Sequence, residues 1–168
     1  MEESPKKFAP VVKAGFNRIC RDFSKMIEPL GFSMGGDRRW GRSDGSLVDI
    51  IQLHRGGISY GMPVNYSVSI RIHFAIRKVG ASEPTILNGP LSDQLRDGRG
   101  YAYHLRFNAA SWSTYDRCLE DLLRVTHDHG LPWFSLQRVP GTSSSGELLR
   151  PGQPEQLTCQ NLPGPGLK

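Results

Sequence analysis

Three histidines lie on segments whose residues alternate like those of β-strands, and they raise the question of a metal site. His54, His73 and His104 belong to three different predicted strands. If the alternation holds, all three imidazoles point away from the core, where neighbouring strands could bring them together around zinc. No cysteine or carboxylate is placed to complete such a site. We therefore predict no metal.

The wider set of polar residues on the same predicted sheet face suits an anion better than a metal. Arginines and imidazoles on one face would form a cationic platform for an acidic protein patch or a small anion. The alternatives are a solvated face with ordinary polar residues, or a face covered by the C-terminal helix. The predicted ligand-binding residues are Arg39, Gln52, His54, Arg71, His73, His104 and Arg106.

No motif in the sequence indicates catalysis. There is no G-x-S-x-G nucleophile elbow, and the glycine pairs lack the lysine and spacing of a P-loop. None of the three cysteines lies beside a histidine in a recognisable motif. His127 and His129 are two apart, so a regular helix would point them about 200° apart, too far for one ion. We predict no catalytic residue and no cofactor, and expect Asp37, Asp44 and Asp49 near the hairpin to be solvated.

Composition and charge narrow the possible partners. A chain of 168 residues fits one domain with an extension. The net charge of +5 favours anionic partners, but the basic residues are scattered, which argues against nucleic acid. No apolar run approaches the roughly 18 to 20 residues that span a bilayer, and residues 1–7 lack the apolar core of a signal peptide. We expect a soluble, cytoplasmic protein with no membrane partner.

Two amphipathic helices are expected at the two ends of the domain. Apolar residues at steps of three and four predict a helix over residues 8–30, which Pro29 and Gly31 end. Thr114 and the serine before it are candidate N-caps of a second helix. Gly130 is the expected C-terminal stop of that helix.

A turn signal and period-two alternation predict the strands between the helices. Asp44-Gly45 indicates a two-residue hairpin turn, and pairing across it sets Trp40 opposite Asp49. One hairpin face then carries Trp40, Leu47, Asp49, Ile51 and Leu53, and the other carries Arg39, Val48, Ile50, Gln52 and His54. Residues 66–77 alternate throughout and form the clearest strand.

The remaining segments give the fold and its boundaries. Residues 78–100 are interpreted as a long connection with one helical turn near 91–96, and 101–107 as another strand. The order of elements predicts an α+β fold, one antiparallel sheet of about four to five strands packed with an N-terminal and a C-terminal helix. The expected domain is 8–136, between a flexible N-terminus at 1–7 and a disordered Pro/Gly/Ser-rich tail at 137–168.

Several short motifs occur along the chain in a characteristic order. They are Ile27-Glu28-Pro29-Leu30-Gly31-Phe32, Trp40, Ile50-Ile51-Gln52-Leu53, the strand from Tyr66, Trp112 and Gly130-Leu131-Pro132-Trp133-Phe134. This order resembles the bacterial domain of unknown function 4304 family over residues 8–136, with a departure at the Gly- and Pro-rich stretch between 80 and 100. The resemblance implies an α+β domain. The family has no established activity, so it implies no catalytic residues.

Three functional hypotheses remain. The leading one is a non-enzymatic binding or protein-interaction module that uses the basic sheet face. An enzyme with a histidine- or arginine-lined anion site beneath the 78–100 connection is the first alternative, and it needs a concave pocket containing at least two of His54, His73 and His104. An immunity-type inhibitor of a partner toxin is the second, although such inhibitors are often acidic and this chain is basic.

Overall fold

The computed structural model describes residues 8–56, 66–79 and 86–138. These residues form an antiparallel sheet with helices packed on one of its faces. The helices and strands are α1 Phe8–Ile27, β1 Ser33–Met34, β2 Arg39–Asp44, β3 Leu47–Arg55, β4 Ser67–Lys78, β5 Ile86–Leu91, β6 Arg106–Asn108, α2 Tyr115–Val125 and α3 Leu131–Leu136. The strand order is β1-β2-β3-β4-β5, and β6 pairs with the start of β4. The predicted α+β fold is confirmed. Residues 1–7 and 139–168, expected to be flexible or disordered, lie outside the described residues.

The period-two pattern of β4 separates the two faces of the sheet. Ile72, Phe74 and Ile76 are buried on the side that packs against the helices. Arg71 is exposed and His73 is half-buried on the opposite side, which we call the outer face. The strand predicted at residues 66–77 is therefore confirmed, with its aliphatic residues inward and its cationic residues outward.

The hairpin of β2 and β3 has the predicted faces but a different register. Trp40 pairs with Ile51, not with Asp49 as predicted, because the two loop residues are Gly45 and Ser46. The shift is two residues, and side chains on a strand alternate with a period of two. The residues predicted for each face consequently stay on that face.

The N-terminal helix supplies one half of the core. Phe16, Phe23 and Ile27 of α1 are buried, and the Phe23 ring meets the edge of Trp40 at a centroid distance of 5.3 Å. The helix ends as predicted, through a short 3₁₀ turn that Gly31 closes at a φ of 85°. A left-handed residue at a helix end favours glycine because no Cβ then meets the following carbonyl.

The prediction that Gly130 stops the second helix is wrong. The helix continues through a π turn, Thr126–Gly130, into α3, and Gly130 itself has a helical φ of −65°. A Cβ at this position would lie 2.7 Å from Cζ of Phe74, so glycine serves the close approach of helix and sheet. Phe134 of α3 is buried against Phe74, on the helix side. The C-terminal helix therefore does not cover the outer face.

Two predictions for the connection and the strand after it also need correction. The segment interpreted as a loop contains β5, whose Asn88-Gly89-Pro90 run has the composition of a turn. The segment predicted as a strand at 101–107 is paired in β6 only from Arg106 onward, and residues 101–105 have no regular structure. A 3₁₀ turn, Ser92–Gln94, lies where one helical turn was predicted.

Asp49 is fully buried, contrary to the expectation that the acids near the hairpin are solvated. Its carboxylate pairs with Arg42 of β2 and with Arg138, which follows α3. Asp49 shares the inward face with apolar residues, and a buried carboxylate is stable there only when opposite charges surround it. Arg138, which the sequence placed in the tail, is thus bound to the sheet.

Candidate functional site

Five of the seven predicted ligand-binding residues lie together on the outer face, on β2, β3 and β4. Arg39 of β2 pairs with Gln52 of β3, which pairs with His73 of β4, and His54 pairs with Arg71 one step further along. The rings of His54 and His73 have centroids 6.4 Å apart. The five residues form one patch across three neighbouring strands, which we call the sheet-face cluster.

Arginines dominate the charge of the sheet-face cluster at neutral pH. Burial, and secondarily the nearby His54, lowers the pKa of His73, so this imidazole is neutral at pH 7. Arg71 has its Nε 2.9 Å from Oδ2 of Asp93, and both side chains are about half exposed. Exposed pairs of this kind are weak, about 0–1 kcal/mol, and are easily exchanged for another anion. Arg39 is exposed and forms no ion pair with a described residue.

The basic surface continues into a depression at the end of β3, beside α1. It has a volume of about 550 Å³ and shares Gln52 and His54 with the sheet-face cluster. Its basic residues, which the sequence-based prediction omitted, are Lys13, Arg38 and Arg55, and Asp37 is its single acid. We call it the sheet-end depression. Two of these three cations could have been found from the strand ends, since Arg38 precedes β2 and Arg55 ends β3.

The other two predicted residues lie at the edge of the sheet. Arg106 of β6 pairs with Ser69 of β4, and His104 lies in the irregular segment before it, where its backbone N–H donates to Oδ2 of Asp121 at 2.7 Å. Burial, together with the charges of Arg117 and Arg106, lowers the pKa of His104. The seven predicted residues therefore do not all lie together. Arg106 is on the outer side of the sheet through its pairing with Ser69, but it lines the depressions at the sheet edge with His104.

Depressions near the histidines do not meet the requirement of the enzyme alternative. The sheet-end depression contains His54 alone of the three histidines, and two depressions at the sheet edge, of about 430 and 370 Å³, contain only His104. His54 and His73 are close, but they share none of these three concave sites. No two of the three histidines meet in any of them.

A polar network around the π turn was missed in the sequence. The Tyr103 hydroxyl donates to Oδ2 of Asp128 at 2.8 Å and lies 3.0 Å from Nε2 of His129. The same His129 nitrogen lies 2.9 Å from the carbonyl oxygen of Arg96. These bonds fasten the segment before β6 to the helices. Within the described residues, no group of three or more His, Cys, Asp or Glu side chains could hold a metal ion.

The two buried cysteines are unsuited to nucleophilic catalysis. Cys20 and Cys118 are unpaired and lie in the helix-side core. Burial raises the pKa of the Cys20 thiol to about 11 and that of Cys118 to about 12. Because the thiolate is the nucleophile, both residues are inert at neutral pH and act as small apolar side chains.

Comparison with known proteins finds no matching family model, no matching curated protein and no matching solved structure. Nothing in these comparisons bears on the resemblance to the domain of unknown function 4304 family. Among the described helices, none combines the length and apolar character needed to cross a membrane. The outer face and the sheet edge are therefore the surfaces from which a function is inferred.

Proposed function

We propose that this chain is a non-enzymatic binding module that recognises an acidic segment of a partner protein. The binding surface consists of the sheet-face cluster and the sheet-end depression. The observation that carries the proposal is the strand register, which aligns Arg39, Gln52 and His73 in one row and His54 with Arg71 in the next. A row of this kind lets one extended ligand contact three strands at once.

The charge of this surface favours an acidic ligand. Its lysine and arginine side chains are Lys13, Arg38, Arg39, Arg55 and Arg71. They are opposed by Asp37 and Asp93, and the latter is paired with Arg71. Complementary charge steers association and penalises partners of the wrong sign.

The length of the polar row favours a segment of protein over a free small ion. Arg39, Gln52 and His73 stand side by side on three neighbouring strands, a span that an extended chain covers and a small ion does not. Val48, Ile50 and Ala75 continue the outward-facing positions, but they are buried and form a small cluster separate from the main core. The ligand is therefore expected to contact the polar row through its carboxylates.

Charge reversal on the proposed surface is expected to weaken binding of a Glu-rich peptide. Arg39→Glu combined with Arg55→Glu replaces two exposed cations of the surface by anions. We expect an affinity at least about tenfold lower, equivalent to about 1.4 kcal/mol. Fluorescence anisotropy at low ionic strength measures the change, because salt screens such contacts.

A matched double variant distinguishes a specific surface from general charge attraction. Arg21→Glu combined with Arg99→Glu changes the net charge equally, and both of these arginines are exposed but belong neither to the sheet-face cluster nor to the sheet-end depression. We expect this control to bind the peptide within about twofold of the parent chain. An equal loss in the two variants would overturn the proposal, as would tighter binding of single-stranded RNA than of the peptide in the parent chain.

A further inference from the structure

A concave pocket lies at the sheet edge, where β4 is flanked by β6 and by the first turn of α2. Its volume is about 430 Å³, and we call it the edge pocket. Its polar lining comes from Ser69, Asp93, Arg96, His104, Arg106 and Arg117. Small-molecule sites in proteins usually occupy about 300–1,000 Å³, so this pocket admits a small organic ligand.

The pocket exists because two strands share one edge of β4 without meeting. β6 pairs with the residues up to Ser69, whereas β5 pairs only from His73 onward. Between them the N–H of Ile70 donates to the carbonyl of Leu105 at 2.8 Å, and the N–H of Ile72 donates to Oγ of Ser92 at 3.1 Å. The backbone of β4 is thus satisfied by irregular segments, and a concavity remains above it.

The walls of the edge pocket are held in place from the helix side. Asp121 accepts the N–H of His104 at 2.7 Å, and its other oxygen accepts from Arg124 at 2.8 Å. Arg124 also lies 3.5 Å from a carboxylate oxygen of Asp97. Together with the bonds of Tyr103 to Asp128 and His129, these contacts fix the segment that carries His104. A pocket fixed before binding loses less entropy when a ligand enters.

The guanidinium groups of the edge pocket outnumber its carboxylates. Arg106 and Arg117 form no hydrogen bond or ion pair through their side chains with a described residue, and Arg96 donates only to backbone carbonyls, at 2.8 and 3.1 Å. The single acid, Asp93, is paired with Arg71. Planar guanidinium groups bind phosphate oxygens with two parallel hydrogen bonds. Two such groups are free for an anion here.

His104 adds an unsatisfied polar atom to the same site. Its Nε2 is buried and has no hydrogen-bond partner among the described residues. A buried polar atom without a partner has lost its hydrogen bonds to water without replacing them, which destabilises the empty site. An anion held by the adjacent Arg106 and Arg117 would recover this cost by accepting a hydrogen bond.

We infer that the edge pocket binds a small molecule carrying a phosphate monoester, with Arg106 and Arg117 on the phosphate and His104 donating to one of its oxygens. Ile70 and Leu105 also line the pocket and provide apolar surface for the organic part of the ligand. The edge pocket and the proposed protein-binding surface share no lining residue, although the ion pair between Arg71 and Asp93 connects them. It has one histidine and no nucleophile motif, so binding is the activity inferred.

Titration with glucose 6-phosphate, inorganic phosphate and glucose tests this inference on the full chain. We expect saturable binding of glucose 6-phosphate, weaker binding of inorganic phosphate and none of glucose, measured by calorimetry. Arg106→Gln combined with Arg117→Gln should weaken glucose 6-phosphate binding at least about tenfold. In an NMR titration the imidazole signals of His104 should move and its pKa should rise, because a bound anion stabilises the charged ring.

The control is Arg39→Gln combined with Arg55→Gln, which removes the same number of charges from the sheet face and sheet end. This variant should bind glucose 6-phosphate within about twofold of the parent chain. Unchanged thermal unfolding of the Arg106/Arg117 variant excludes a folding defect. The inference is overturned if glucose 6-phosphate does not saturate the chain by about 10 mM, if the two double variants lose affinity equally, or if the His104 signals do not move. Loss of Glu-rich peptide binding in the control, with phosphate binding intact, separates this site from the proposed function.

Discussion

Replacing Asp49 with alanine is expected to lower the free energy of unfolding by about 3–5 kcal/mol. The carboxylate is fully buried and accepts from Nη2 of Arg42 at 2.8 Å and from Nη2 of Arg138 at 2.6 Å. Removal of the carboxylate leaves two guanidinium charges without a counter-charge in a poorly solvated site. The free energy that this costs is larger than the net stabilisation that the ion pair provides. Urea unfolding followed by circular dichroism measures the change.

The large effect follows from the position of Asp49 between three elements. Arg42 belongs to β2 and also donates to the carbonyl of Leu30 at 3.1 Å, at the end of the first helix. Arg138 donates to the carbonyl of Phe134 at 2.8 Å, at the end of α3. Asp49 thus ties both helix ends to the sheet.

The neighbouring Asp44 provides the matched control. It contacts the same Arg138, at 2.9 Å, but its side chain is 65% exposed. Asp44→Asn should therefore cost only about 0–1 kcal/mol. A loss below about 1 kcal/mol for Asp49→Ala, or a similar loss for both variants, would contradict the assigned role of the buried carboxylate.

Gly130→Ala is expected to lower the free energy of unfolding by about 1–3 kcal/mol. Alanine is normally the better helix former, and Gly130 has a helical φ, so helix propensity alone predicts a gain in stability. The added methyl group would instead overlap the buried ring of Phe74. The sign of the measured change in urea unfolding therefore tests whether helix and sheet approach as closely as described.

Two further variants complete the Gly130 test. Gly98→Ala should change stability by no more than about 0.5 kcal/mol, since a Cβ there would meet nothing within 4 Å. Phe74→Leu should reduce the cost of Gly130→Ala, because contacting residues do not contribute additively. A stabilising effect of Gly130→Ala would show that the ring and the helix are further apart.

The sequence predicts which side of the sheet each strand residue occupies, because the pattern that decides it is local. Residues 66–77 alternate without interruption, and the same period assigns Gln52 and His54 to the outer face. Even the incorrect hairpin register preserved these assignments, since Asp44 entered the strand and moved the pairing by two residues. The sheet-face cluster was consequently predictable as a set.

Features that depend on contacts between distant segments were not predictable. Gly130 resembles a helix stop unless the position of Phe74 is known, and Arg138 resembles tail unless its pairing with Asp49 is known. β5 accommodates Gly89 and Pro90 at a shift of register opposite Phe74, and a Cβ at Gly89 would lie 3.0 Å from the ring of Trp133. His104 leaves the strand pattern because Asp121 of α2 binds its backbone.

NMR mapping of a Glu-rich peptide on the full chain tests the proposed binding surface most directly. We predict that the largest amide and imidazole shifts fall at Arg39, Gln52, His54 and His73. Largest shifts around Arg21 on the exposed side of α1, with the outer face of the sheet unaffected, would contradict this prediction.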